Sequence, residues 1–270
     1  MKQSIGVIDS GVGGLTVAQE LMRQLPHERL IYLGDTKRCP YGSRSEEEVR
    51  AFTWEMVRFL LHKEIKLLVV ACNTATAFTI DELKEQLDIP VIGVINPGAR
   101  AAINASENKN IAVIGTEGTI KSKSYVKALQ QIDANLDVYP LACPTLVPMV
   151  EQGIFSGDQA VEVAEYALEP LQPFHAFDTL ILGCTHYPLI KDVIQHVVGD
   201  HVNIVSSSEE TARETSALLD VMELLNTDVQ HVIHEFYTTG DLKTFTEMAK
   251  KIFDENNSGR LNIHYEFARL

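Results

Sequence analysis

The strongest constraint on the fold of this chain is a repeated alternation: short β-branched runs take turns with longer amphipathic stretches. Ser4–Ile8, Leu30–Leu33, Lys66–Val70, Val91–Val94, Asn110–Ile114, Leu136–Tyr139, Thr179–Leu182 and Val202–Ile204 read as strands. Between them, Leu15–Leu25, Ser45–His62, Thr74–Leu87, Thr119–Ile132, Ser156–Leu168 and His186–Val197 read as helices. Strands that are apolar throughout and separated by helices imply an α/β fold, with mainly parallel sheets covered by helices on both faces. Ligands of such sheets bind at the carboxyl ends of the strands.

The alternation also repeats itself. Ile5-Gly6-Val7-Ile8-Asp9-Ser10-Gly11 is echoed by Ile111-Ala112-Val113-Ile114-Gly115-Thr116, and Leu68-Val69-Val70-Ala71-Cys72-Asn73-Thr74 by Leu180-Ile181-Leu182-Gly183-Cys184-Thr185-His186. A duplicated α/β unit explains both pairs. Asn96-Pro97-Gly98 and Ser206-Ser207-Ser208 mark the strongest breaks. We therefore expect two pseudo-symmetric lobes, one from residues 1–95 plus 207–270 and one from 96–206, with the site in the cleft between them.

A length of 270 residues suits two such units. The formal net charge of −14 opposes nucleic acid or an anionic membrane as partner. No apolar run approaches the roughly 20 residues that span a bilayer, and Met1 lies too close to the first strand to leave room for a signal peptide, so a cytoplasmic protein is expected. The four cysteines, Cys39, Cys72, Cys143 and Cys184, form no Cys-x-x-Cys pair, which argues against a zinc ribbon or redox motif and for free thiols.

Two of these thiols stand where chemistry is expected. Cys72 and Cys184 each end an apolar strand and precede a helix start, where backbone N–H groups and the helix dipole favour thiolate. Inverting a stereocentre by proton transfer needs a base on one face of the carbon and an acid on the other, and a duplicated cysteine supplies that symmetry. Asp9 ends the first strand and can orient a proton near Cys72, or simply cap the next helix. His186 can support the Cys184 thiolate or be structural. Ser10, Asn73, Thr74 and Thr185, at strand-to-helix turns, describe a carboxylate-binding cleft. The Pro40-Tyr41-Gly42 segment can add backbone contacts and an aromatic wall. Glu151 has no spacing argument and reads as surface charge.

Two other classes stay open at this point. Gly11-Val12-Gly13 with Asp35 imitates a dinucleotide fingerprint of an NAD-dependent enzyme, although Thr16 replaces the third glycine and Asp9 brings charge poorly placed for pyrophosphate. A non-enzymatic module binding a small acid would need no reactive thiol.

Asp9-Ser10-Gly11-Val12-Gly13-Gly14-Leu15-Thr16, Cys39-Pro40-Tyr41-Gly42, Ala71-Cys72-Asn73-Thr74-Ala75, Pro97-Gly98-Ala99 and Gly183-Cys184-Thr185-His186-Tyr187-Pro188 together resemble the bacterial glutamate racemases of the aspartate/glutamate racemase family. The likeness runs from near the N-terminus to at least Thr211. It implies a cytoplasmic isomerase, usually a homodimer, that converts L-glutamate to D-glutamate for peptidoglycan synthesis without pyridoxal phosphate, metal or other cofactor. It makes Cys72 and Cys184 the proton acceptor and donor pair, Cys72 acting on D-glutamate and Cys184 on L-glutamate, with Asp9, Glu151 and His186 as their polar neighbours. Substrate contacts are implied for Asp9, Ser10, Tyr41, Gly42, Asn73, Thr74, Thr119, Thr185 and His186; Thr119 and Glu151 enter through the resemblance alone. Ser43 departs from the family pattern, standing where proline commonly follows Tyr41-Gly42. Aspartate, or another amino acid, remains an alternative substrate, since one methylene changes binding by only ~1–3 kcal/mol.

Overall fold

The computed structural model of the chain describes residues 3–171, 176–227, 232–254 and 261–270. The remaining residues of the two expected lobes lie outside the described ones. The chain runs β1 (Ser4–Asp9), α1 (Leu15–Gln24), β2 (Leu30–Gly34), α2 (Glu46–Leu61), β3 (Ile65–Val70), α3 (Asn73–Gln86) and β4 (Val91–Gly93). It continues through α4 (Ile95–Ala105), β5 (Asn110–Gly115), α5 (Glu117–Lys121), α6 (Ser124–Ile132), β6 (Asp137–Ala142), α7 (Leu146–Glu151), α8 (Asp158–Leu168) and β7 (Thr179–Gly183). Then follow α9 (Lys191–Val198), β8 (Asn203–Ser206), α10 (Ser207–Val221), β9 (His234–Thr238), α11 (Leu242–Asp254) and β10 (Ile263–Phe267).

Among the described residues every strand pairing is parallel, in two sheets ordered β10-β9-β2-β1-β3-β4 and β6-β5-β7-β8. The α/β architecture expected from the alternation is therefore present. The order β2-β1-β3-β4 is reproduced by β6-β5-β7-β8, so the echoed segments occupy equivalent strands and both cysteines follow the strand across the switch point from β1 or β5. Burial on both faces explains the unbroken apolar runs. Ile5, Val7, Leu67 and Val69 pack towards α1, while Ile8, Leu68 and Val70 pack towards α2 and α3, the period-two division of a pleated strand. Ala112, Ile114, Leu180 and Leu182 oppose Ile111, Val113 and Ile181 in the same way across the second sheet.

Helix starts follow local chemistry. Ser45 caps α2 in a reciprocal box with Glu48, and Val49, Thr53, Met56, Val57 and Leu60 then form its buried stripe. Three expectations change in detail. The stretch 119–132 is two helices, because Lys123 adopts φ 59 between α5 and α6. Asn96-Pro97-Gly98 is the first turn of α4, where proline loses no helical hydrogen bond, and Ser206-Ser207-Ser208 ends β8 and starts α10. Tight packing explains Gly98: a side chain there would meet Tyr125 and Ser207 at 3.1 Å. The strands β9 and β10, which carry weak alternation and are joined by α11, complete the first sheet, and a buried ion pair, Lys66 with Glu28 at 2.6 Å, holds the returning chain through Leu224 and Asn226.

Candidate active site

The carboxyl ends of β1 and β3 face those of β5 and β7 across one narrow pocket. Ser10, Pro40, Tyr41, Gly42, Cys72, Asn73 and Thr74 line it from one side, and Thr116, Val147, Cys184, Thr185 and His186 from the other. Both cysteine side chains are buried yet reach this shared space.

Cys72 is itself the N-cap of α3: its sulfur accepts the Ala75 N–H at 3.5 Å and donates to the Ser10 hydroxyl at 3.6 Å. Burial pushes its thiol up to about 12, and the Asp9 carboxylate adds to that resistance. Asp9 is fully buried and accepts from the Gly11 N–H at 2.9 Å and the Thr185 hydroxyl at 3.2 Å, so it joins the two sides of the pocket. Burial raises its pKa, partly offset by His186 and these donors.

Cys184 has different support. The chain after it forms a short 3-10 turn over Tyr187–Ile190 before α9 begins, so the α-helix expected to start at His186 starts five residues later. In place of a helix N-terminus the sulfur has His186, whose Nδ1 lies 3.7 Å away, while His186 Nε2 lies 2.5 Å from Glu151 Oε1. Burial alone would lower the His186 pKa, but contacts with Cys184, Cys39 and Glu151 outweigh it and hold the imidazole well above its usual value. Desolvation opposes ionisation of Glu151, and the hydrogen bond and charge of His186, with donors from Cys39 and the Val12 N–H, bring its carboxyl below the usual range. An imidazolium with both N–H groups committed, one to sulfur and one to carboxylate, fits these directions.

Hydroxyl and amide donors surround the thiols. The Asn73 Oδ1 accepts from the Tyr125 hydroxyl at 2.7 Å, which leaves its buried Nδ2 as a donor with no protein partner beside the pocket. Such an orphan is what a substrate carboxylate satisfies. Thr74, Thr116 and Thr119 form a hydroxyl triangle with edges of 2.8, 3.2 and 3.0 Å. Thr119 stands behind Thr74 and Thr116 rather than on the pocket wall. Gly42 is pressed against Thr116, where a Cβ would come within 2.4 Å, and its carbonyl accepts the Gly118 N–H at 2.9 Å. The Tyr41 hydroxyl donates to Asp35 at 2.5 Å, so Tyr41 offers the pocket its ring and backbone. Ser43 lies in a turn closed by the Arg44 N–H on the Tyr41 carbonyl at 3.0 Å.

The dinucleotide resemblance has a different physical cause. A Cβ on Gly13 would sit 2.5 Å from Thr185 Oγ1 and 2.7 Å from His186 Nδ1, and one on Gly11 would sit 2.9 Å from Cys39 Sγ. These glycines make room for the site's own side chains, where a pyrophosphate would have to lie. Asp35, the supposed ribose acceptor, is taken by Arg38, Tyr41 and Thr239. Thr116 on the pocket wall, and Cys39 and Tyr125 behind it, escaped the residue-level reading. Thr116 carried a signal, as the echo of Ser10, and Cys39 carried one in its Cys-Pro-Tyr-Gly motif; Tyr125 carried none.

Two parallel-sheet units that bring paired thiols to one pocket define the class. The Asp/Glu/hydantoin racemase family model matches residues 5–215, and the chain belongs to that family. Its named relatives include the glutamate racemase of Oceanobacillus iheyensis, 64% identical over 97% of this chain and 96% of the relative, and that of Shouchella clausii, 52% identical over 98% and 96%. Among solved structures, a glutamate racemase isoform from Bacillus anthracis superposes with TM-score 0.93 at 47% identity, covering 100% of this chain and 99% of the other. The Francisella tularensis glutamate racemase in complex with D-glutamate gives 0.89 at 33%, covering 99% and 98%. The likeness drawn from the motifs is borne out.

Proposed function

We propose that this protein interconverts L- and D-glutamate by a two-base proton transfer and supplies D-glutamate for peptidoglycan synthesis. The observation that carries this reading is that Cys72 and Cys184, leaving equivalent strands of two different sheets, line the same pocket. One sulfur, as thiolate, removes the α-proton from one face of the substrate. The other, as thiol, returns a proton to the opposite face, and the roles exchange for the other enantiomer.

The energetics support a role for each neighbouring group. A buried Cys72 thiol resists ionisation in the free site, so the substrate ammonium is the cation that makes its thiolate accessible. The His186–Glu151 pair does this work for Cys184. Asn73 Nδ2, the hydroxyls of Ser10, Thr74 and Thr185, and backbone near Gly42 hold the carboxylates, with Tyr41 as a wall and Thr119 fixing Thr74. Asp9 braces Thr185 and orients the ammonium end. No cofactor takes part in this scheme.

The lobes, in this reading, are residues 1–95 plus 207–270 and residues 96–206. The protein acts in the cytoplasm as a homodimer, on a small-molecule substrate and without nucleic acid or membrane partners. Support for the dimer is the family likeness; no helix of the described residues is long and apolar enough to cross a membrane. Incubating L-glutamate with the protein in D2O should exchange the α-proton and invert the centre with no added cofactor, and should do so faster than with aspartate. A requirement for pyridoxal phosphate, or preferential turnover of aspartate, refutes the assignment.

A further inference from the structure

Around His186, the neighbour of Cys184, stands a cluster that proton transfer does not fully use. Cys39 Sγ, a Glu151 carboxylate oxygen and a His186 ring nitrogen all lie within 4.8 Å of one another. We infer that these three side chains form a binding site for a zinc-class divalent cation, and that its occupancy switches the enzyme off.

The donor set selects the ion. One thiolate, one imidazole and one carboxylate suit a borderline-soft, tetrahedral cation and suit magnesium or calcium poorly, since those demand shells of oxygen. The distances fit as well. Bonds of about 2.3 Å to sulfur and about 2.0–2.2 Å to nitrogen and oxygen place tetrahedral donors roughly 3.3–3.6 Å apart. Cys39 Sγ and Glu151 Oε1 already stand 3.5 Å apart, and His186 Nε2 and Glu151 Oε1, at 2.5 Å, need to separate by about one ångström. A side chain on Gly11 would come within 3.0 Å of both the Cys39 sulfur and the Glu151 oxygen, so the glycine leaves the two donors room beside it. The Glu151 side chain retains 30% of its exposure, giving an entry path and a fourth position for water.

Coordination replaces the Cys39 thiol proton and the proton His186 shares with Glu151, and both leave to solvent. The cation then takes the place of the proton between His186 Nε2 and Glu151, so the ring whose Nδ1 lies 3.7 Å from Cys184 becomes a neutral, fixed ligand and no longer the imidazolium that supports that sulfur. This inhibitory half rests on the racemase reading; the binding half does not.

Cobalt(II) titration of the full chain tests the site directly, on a Cys72→Ser/Cys184→Ser background that removes the two reactive thiols. A thiolate-to-cobalt absorption band should appear, zinc should displace it, and magnesium should not. Adding Cys39→Ser should abolish the band and weaken binding at least tenfold. Glu151→Gln, which keeps the thiol, should keep the band and weaken binding, and it serves where the serine variant fails to fold. A band of unchanged strength without Cys39 overturns the site. In otherwise unaltered protein, zinc should stop α-proton exchange, and Cys39→Ser should need at least tenfold more. Binding without inhibition overturns the switch alone, and a protein that exchanges no α-proton even without zinc sinks the racemase reading while leaving the cobalt result to stand.

Discussion

The two cysteines occupy equivalent places in a repeated unit, yet each is supported by different chemistry. Cys72 caps a 14-residue helix and takes its help from the Ala75 N–H and Ser10. Cys184 is followed by a 3-10 turn and takes its help from an imidazole that is backed by a carboxylate. Duplication thus preserved the position of the sulfur and not the means of stabilising its charge. A racemase tolerates this inequality for a thermodynamic reason. Its two substrates are mirror images with equal free energy, so kcat/KM must be equal in the two directions whatever each wall contributes. Asymmetry can appear only in kcat and KM separately, and in which proton transfer limits the rate.

The harshest way to break the comparison is to delete one wall at a time. Cys72→Ala and Cys184→Ala should each reduce racemisation by at least ~10³-fold, because each removes an acid–base group that nothing replaces. Circular dichroism should remain that of the parent, and polarimetry reads the loss. If either variant turned over at near the parent rate, the two-base scheme would be wrong.

Removing the support behind one wall sharpens the comparison further. Glu151→Gln should lower kcat/KM by about 10²-fold, within the range of general acid–base effects and equally for L- and D-glutamate, because both directions pass through the Cys184 step. The deuterium isotope effect should grow more for α-deuterated L-glutamate than for the D enantiomer, since the Cys184 step becomes the slower one. The pH dependence has a definite sign. Glu151 helps hold His186 protonated, so its loss lowers the imidazole pKa and brings the alkaline fall in kcat to lower pH. An unshifted limb would show that His186 does not serve Cys184.

Much of this was legible from residues because strands and helix starts are written locally. The period-two and period-3.6 patterns located the eight strands that build the repeated halves, and the cysteine echo located both walls of the pocket. What remained hidden depends on distance through space. Glu151 read as surface charge, since nothing near it in sequence announces that His186 will lie 2.5 Å away. Gly11 and Gly13 imitated a nucleotide loop because a glycine records only that something approaches closely, and the something here is Cys39, Thr185 and His186. The 3-10 turn after Cys184 was also illegible, for Tyr187, Pro188, Leu189 and Ile190 satisfy the apolar pattern of either helix. The strand β9 escaped notice because its place in the first sheet is fixed by Tyr32 and Leu33, some two hundred residues earlier, and β10 in turn pairs onto β9.

The mildest expected effect concerns how the walls are braced across the cleft. Each is held from the opposite side: the Tyr125 hydroxyl donates to Asn73, next to Cys72, and the Thr185 hydroxyl, next to Cys184, donates to Asp9. Tyr125 touches no proposed substrate atom, so it acts by fixing which end of the Asn73 amide faces the pocket. Tyr125→Phe frees that amide to rotate at a cost near one ordinary hydrogen bond, ~0.5–1.5 kcal/mol. KM for both enantiomers should therefore rise about two- to tenfold, since a carboxylate is held equally in either hand, while kcat changes little. Asn73→Asp, which puts oxygen where the donor stood, should raise KM further. A Tyr125→Phe enzyme with the parent KM would mean that Asn73 does not hold the carboxylate and that the two walls are braced independently of the substrate.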